Sequence, residues 1–157
     1  MDNEEQMKDT KRLVIQFREA IDAARDAGQF DKDSSFCKFP QRCCGDASDL
    51  LAHFLLDNGI RTYNVCGTYR DCLPENIQSH TWLLTDNQII IDITGDQFRY
   101  NPDFLNYNKS VYIGRADDFH RLFIVEDRDV YEVGLDNLGS TCQPRLNRLY
   151  RKIIKFL

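Results

Sequence analysis

Leu13, Val14, Phe17, Ala20, Ile21 and Ala24 recur at three- and four-residue spacing, with charged residues between them. That period predicts an amphipathic helix over residues 5–27, stopped by Gly28. A polar stretch at 29–43 carries Ser34, Ser35 and Pro40 and reads as a loop. The helical period returns in Ala47, Leu50, Leu51, Phe54 and Leu55, so a second helix is expected over 44–58, closed by Asn58-Gly59. The pattern then changes to short runs of β-branched and aromatic residues at 62–69, 80–85 and 89–94, which predict strands. Asp86-Asn87 marks a tight turn, so the last two should form an antiparallel hairpin. Weaker signals follow: a strand at 110–113, a short helix at 117–123, and strand material broken by charge at 123–133. A terminal helix over 144–157 turns Leu146, Leu149, Tyr150, Ile153 and Ile154 inward. Helices, then a mostly antiparallel sheet, then a helix is an α+β order. No repeat, low-complexity stretch or long linker divides the chain, so residues 1–157 read as a single domain.

Composition narrows the function classes. The chain is 42% hydrophobic and 29% charged, which excludes a disordered tail and a fibrous repeat. With 20 Lys and Arg against 25 Asp and Glu, the net charge is −5. That balance argues against nucleic acid as a partner, since a binder of phosphate backbones needs a basic face. The longest apolar runs are short, such as Ile89-Ile90-Ile91, so no membrane association is expected. Met1-Asp2-Asn3-Glu4-Glu5-Gln6 is not a signal peptide, which points to a cytoplasmic protein with reduced thiols. An effector secreted without a Sec signal is the alternative. Asn108-Lys109-Ser110 fits a glycosylation sequon, but that carries no meaning outside a secretory compartment. Residues 134–139 lack the Lys-Ser/Thr ending of a phosphate loop, and no cofactor is expected.

Three residues in order carry the candidate chemistry. Cys44 opens the second helix, His80 opens a strand, and Asp92 lies on the next strand. A thiol attacks as its thiolate, and a helix N-terminus and a neighbouring imidazolium both favour that form. The same helix end offers unpaired N–H groups for an oxyanion. Gly45 lets the backbone approach a substrate closely. His80 would take and return the proton, and Asp92 would orient the ring. A hairpin turn centred near Asp86 sets His80 directly opposite Asp92, on one face.

Cys-Gly at a helix start, His80-Thr81-Trp82, and Ile91-Asp92-Ile93-Thr94 on the next strand resemble the transglutaminase-like branch of the papain-like cysteine enzymes. The resemblance covers residues 36–98. Phe39-Pro40 and the run from Asp92 to Phe98 are similar to small bacterial proteins of this branch, mostly of unassigned function. It implies a papain-like core and a nucleophile–base–carboxylate set of Cys44, His80 and Asp92. It also implies a thiol-dependent hydrolase or acyltransferase (peptidase, amidase or deamidase) acting on an amide or peptide bond of a protein or peptide. Papain uses a glutamine upstream of its cysteine as an oxyanion donor. Gln41 stands only three residues before Cys44, closer than in papain. A non-catalytic interaction or immunity-type domain that keeps the fold is the alternative reading.

Plainer roles stand beside these. Cys44 alone would be a core thiol, and Cys43 competes with it as nucleophile, although the spacing to Gly45 favours Cys44. Trp82 shares the His80 face by strand alternation, to shield it or simply to pack. Asp96 and Gln97 either line the cleft, with Asp96 an alternative third member, or form a turn that caps the strand. Asp46 complements the helix dipole. His53 reads as a partly exposed helix residue and His120 as lying on a solvated face. Cys37-x5-Cys43 and Cys66-x5-Cys72 have wider gaps than structural zinc sites use, so no metal is expected. A Cys66–Cys72 disulfide would need an oxidising compartment. Arg145, Arg148, Arg151, Lys152 and Lys155 form the wet face of the last helix, or a dock for an acidic partner.

Overall fold

The computed structural model describes residues 3–132 and 143–157. The expectations for Val133, for the stretch 134–139 and for Cys142 lie outside the described residues. The helices are α1 (Asn3–Asp26), α2 (Cys44–Asp57) and α3 (Gln143–Ile154). The strands are β1 (Tyr63–Tyr69), β2 (Ser79–Leu84), β3 (Ile90–Asp92), β4 (Tyr112–Gly114), β5 (Phe123–Ile124) and β6 (Val130–Tyr131). They form one sheet in the order β4-β3-β2-β1-β5, and β6 also pairs with β1. Every described pairing is antiparallel. The architecture is therefore α+β, with helices on a mostly antiparallel sheet. Among the described residues, no helix is long and apolar enough to cross a membrane.

The two faces of the sheet bury different things. Leu83, Ile91 and Ile93 meet the apolar stripes of all three helices, where Phe17 stacks on Phe54 at 4.9 Å. Each fully buried side chain of this size contributes roughly 1.5–3 kcal/mol. The opposite face carries Val65, Trp82 and Ile90, covered by Phe104, Tyr107, Phe119 and Phe123. Strand alternation assigns His80 and Trp82 to this aromatic side and Leu83 to the helical side. Gly67, paired with His80, has no room for a side chain, since a Cβ there would lie 2.6 Å from the Phe123 Cβ.

Three expectations need correction. The hairpin pairs Leu83 with Ile91 and Leu84 with Ile90, so its centre falls at Asn87 rather than Asp86. Gln88 takes a left-handed conformation (φ 64°), and the Thr85 hydroxyl accepts from the Ile89 N–H at 3.1 Å, which sets the turn one residue later. Continued along the strands, this register sets Asp92 opposite Trp82, with His80 on the diagonal of the same face. The helix at 117–123 is only a 3₁₀ turn, His120–Leu122, because Phe123 is drawn into β5. The cationic face of α3 is not wholly wet. Arg145 pairs with Asp33 and Asp46, each at 2.9 Å, and Lys152 donates to the Gln29 carbonyl at 3.0 Å.

Candidate active site

The start of α2 has no side-chain cap, and its N-cap residue is Cys43. The N–H groups of its first turn therefore lack intrahelical partners. Arg42, in a left-handed conformation (φ 58°), turns the chain into this helix. The preceding segment is tied to the turn after β3: the Gln41 amide donates to the Gln97 carbonyl at 3.0 Å, and the Arg42 N–H donates to Gln97 Oε1 at 3.4 Å. This bond uses one of the two N–H groups of the Gln41 amide.

Cys44 is partly exposed and stands beside the His80 ring and Thr81. Burial pushes its thiol up, but His80, helped by Thr81, outweighs this and holds it below the usual thiol range. Cys43 is the reverse case. It is buried, its thiol faces the Ser35 and Gln41 carbonyls at 3.2 and 3.1 Å, and burial together with the Asp46 charge pushes it up to about 12. Of this adjacent pair, Cys44 has the surroundings that favour a thiolate.

His80 is fully buried, and its Nε2–H donates to Asp92 Oδ2 at 2.7 Å. That leaves Nδ1 free of Asp92, with the Gln97 amide nitrogen 3.4 Å from it. Burial alone would lower the proton affinity of the ring. The Asp92 charge and hydrogen bond, with Cys44, reverse this and raise it to about 10. Burial would likewise raise the Asp92 carboxyl, but the two histidines on it keep it ionised, well below the carboxylate range. Trp82, Phe98, Phe119 and Phe123 enclose the His80 ring at centroid distances of 5.1–5.7 Å. Water is thereby kept from the His80–Asp92 pair.

Asp96 stands apart from this set. Its carboxylate takes two bonds from Arg18, at 2.9 and 2.8 Å, inside the protein. It fixes the turn after β3 to α1 and is not an alternative partner of His80.

His120 is the residue that local sequence misses. It is 3% exposed, not on a solvated face. Its Nε2 lies 2.8 Å from the same Asp92 Oδ2, and its Nδ1 lies 2.6 Å from Asp117 Oδ1. Asp117-x-x-His120 carried no signal, because its burial comes from the segment that folds across the sheet.

Donor atoms of His80, Asp92 and His120 lie within 4.8 Å of one another, a grouping that a metal could use. Hydrogen bonding accounts for it more simply. Both histidines meet one oxygen at 2.7–2.8 Å, whereas zinc ligands at about 2.0–2.2 Å from a tetrahedral ion stand more than about 3 Å apart. The second Asp92 oxygen already accepts the Thr94 N–H at 2.9 Å. No family model, curated protein or solved structure matches this chain.

Proposed function

We propose that the chain is a thiol-dependent hydrolase or acyltransferase of the transglutaminase-like, papain-like kind. It acts on an amide or peptide bond of a protein or peptide through an acyl-enzyme on Cys44. The observation that carries this reading is one buried imidazole that donates to Asp92 at 2.7 Å and influences the ionisation of the partly exposed Cys44 thiol at the start of α2. The Cys44 sulfur attacks the carbonyl carbon, and the carbonyl π electrons move to its oxygen. The free N–H groups at the start of α2 stabilise that oxyanion. Collapse re-forms the carbonyl and breaks the C–N bond, and His80 Nδ1 gives its proton to the departing amine. Water or another amine then attacks the thioester, losing a proton to His80, and the Cys44 thiolate leaves.

Gly45 supports this reading by what does not explain it. A Cβ there would meet nothing within 4 Å, and its backbone is not left-handed. Glycine within a helix costs roughly 0.5–1 kcal/mol relative to alanine. Gly45→Ala is therefore expected to raise stability by a few tenths to about 1 kcal/mol. It should also slow acylation by bulky donors, because the methyl fills the space beside Cys44. Thermal melts and acylation rates with donors of increasing size check this.

The direct test uses iodoacetamide near neutral pH and p-nitrophenyl acetate. Cys44 is expected to alkylate first, followed only slowly by the other cysteines. The ester should release one nitrophenolate per chain in a burst, leaving an acetyl group on Cys44 by mass spectrometry. Uniform slow labelling with no burst would reject the enzyme reading.

A further inference from the structure

We propose that His120 is a positioning residue of this site, a second imidazolium that divides the charge of Asp92 with His80. The inference rests on the catalytic reading of Cys44, His80 and Asp92, but its own evidence is separate.

Asp92 Oδ2 accepts from His80 Nε2 at 2.7 Å and from His120 Nε2 at 2.8 Å. His120 Nδ1 faces Asp117 Oδ1 at 2.6 Å, and Asp117 Oδ2 accepts the Tyr107 hydroxyl at 2.9 Å. A neutral imidazole has a single N–H. Asp92 and Asp117 are both held below the usual carboxylate range and so are ionised acceptors, and a ring with such an oxygen against each nitrogen satisfies both contacts only when both nitrogens carry hydrogen, which makes it a cation. The charges then alternate along one chain, buried at its three middle members: thiolate at Cys44, imidazolium at His80, carboxylate at Asp92, imidazolium at His120, carboxylate at Asp117.

Packing alone does not call for this. The His120 ring lies against Trp82 at 5.0 Å, Tyr112 at 5.2 Å and Phe119 at 4.9 Å, surroundings in which an apolar ring would rest without desolvating charge. The ionisable groups facing it are Asp92 from β3, Asp117 from its own turn, His80 from β2, Tyr112 from β4, and Tyr107 from the segment before β4. Those facing His80 are Cys44, Asp92 and His120.

The chemical consequence concerns proton release. A buried carboxylate raises the proton affinity of the ring that donates to it, and does so most when it serves that ring alone. A second cation on the same oxygen eases that hold. In the acyl-enzyme, His80 must be neutral to accept a proton from water, so deacylation reports the hold directly.

His120→Gln keeps an N–H donor and removes the charge. Deacylation of acetyl-Cys44 should then rise with pH later than in the wild type, and run about tenfold slower at pH 7 for each pH unit of displacement. The acylation burst should change much less, because nitrophenolate leaves without a proton. A deacylation profile that coincides with the wild type would overturn the proposal and leave His120 a packing residue. Histidine-selective 15N spectra of the unaltered protein at pH 7 give a second readout that needs no variant. Two protonated nitrogens on His120 are expected, and a neutral ring overturns the proposal even where no burst occurs. Absence of a burst in the wild type instead rejects the enzymatic reading, and the spectra then decide the charge on His120 alone.

Discussion

His80→Ala is expected to slow acylation of Cys44 by about a thousandfold to a millionfold, the range for removing one member of a coupled nucleophile–base set. The pH dependence makes the prediction specific. In the wild type, burial pushes the Cys44 thiol up, and His80 more than cancels it. Without the ring, burial remains against Thr81 alone, so the thiol ionises later as pH rises. Alkylation by iodoacetamide should then fall most at low pH, by about tenfold for each pH unit of displacement. The gap should close as pH rises through about 10, where His80 itself gives up its proton and both proteins present an unpaired thiolate. Asp92→Asn should act in the same direction more weakly, because the amide can still touch the ring but carries no charge. A rate ratio that stays constant from pH 5 to pH 10 would show that Cys44 and His80 do not ionise as a pair.

Much of this geometry is local, and so it is legible in the chain. The 3.6-residue period of Ala47, Leu50, Leu51, Phe54 and Leu55 places Cys44 at the first residue of α2, where Cys44–Asp57 is indeed helical. The even separation of His80 and Asp92 holds them on one face even though the hairpin centre moves by one residue, because such a move shifts partners by two. The misreadings share another cause. Asp96 finds its partner in Arg18, 78 residues earlier, which no window around the strand contains. His120 sits among Asp117, Asp118 and Arg121 and looks solvated, yet the segment between β3 and β5 folds it onto the sheet beneath Trp82 and Tyr112. Aromatic residues in that segment at Phe98, Phe104, Tyr107 and Phe119 were the available clue to a second covered face. They follow no period, because an irregular segment has none.

Arg18→Ala is expected to destabilise the fold by about 3–5 kcal/mol, the cost of leaving a buried carboxylate unpaired. Arg18 is 5% exposed, and Asp96 is 7% exposed. The guanidinium also donates to the Ile93 carbonyl at 2.6 Å and the Ser110 carbonyl at 3.2 Å, and it lies 4.8 Å from the centre of the Phe39 ring. One side chain of α1 thus joins the end of β3, the approach to β4 and the loop before Cys44. Truncation strands the acceptors at all but the last. At about 2–4 °C per kcal/mol for a chain of this size, melting should fall by roughly 6–20 °C. Asp96→Asn, which keeps the shape and a carbonyl acceptor, should cost less. Replacing both partners with apolar residues should recover part of the loss, because the penalty lies in the unpaired charge more than in the absent bond. The effect should reach the site as well. Ile93 follows Asp92 directly, and Phe39 leads into the segment that Gln41 ties to Gln97. A loosened Arg18 junction therefore lets the carboxylate and the thiol drift apart. At a temperature where the variant is still folded, Cys44 should alkylate more slowly at pH 6 than in the wild type. A loss below about 1 kcal/mol in denaturant titration would place the tie between α1 and the sheet in apolar contacts alone.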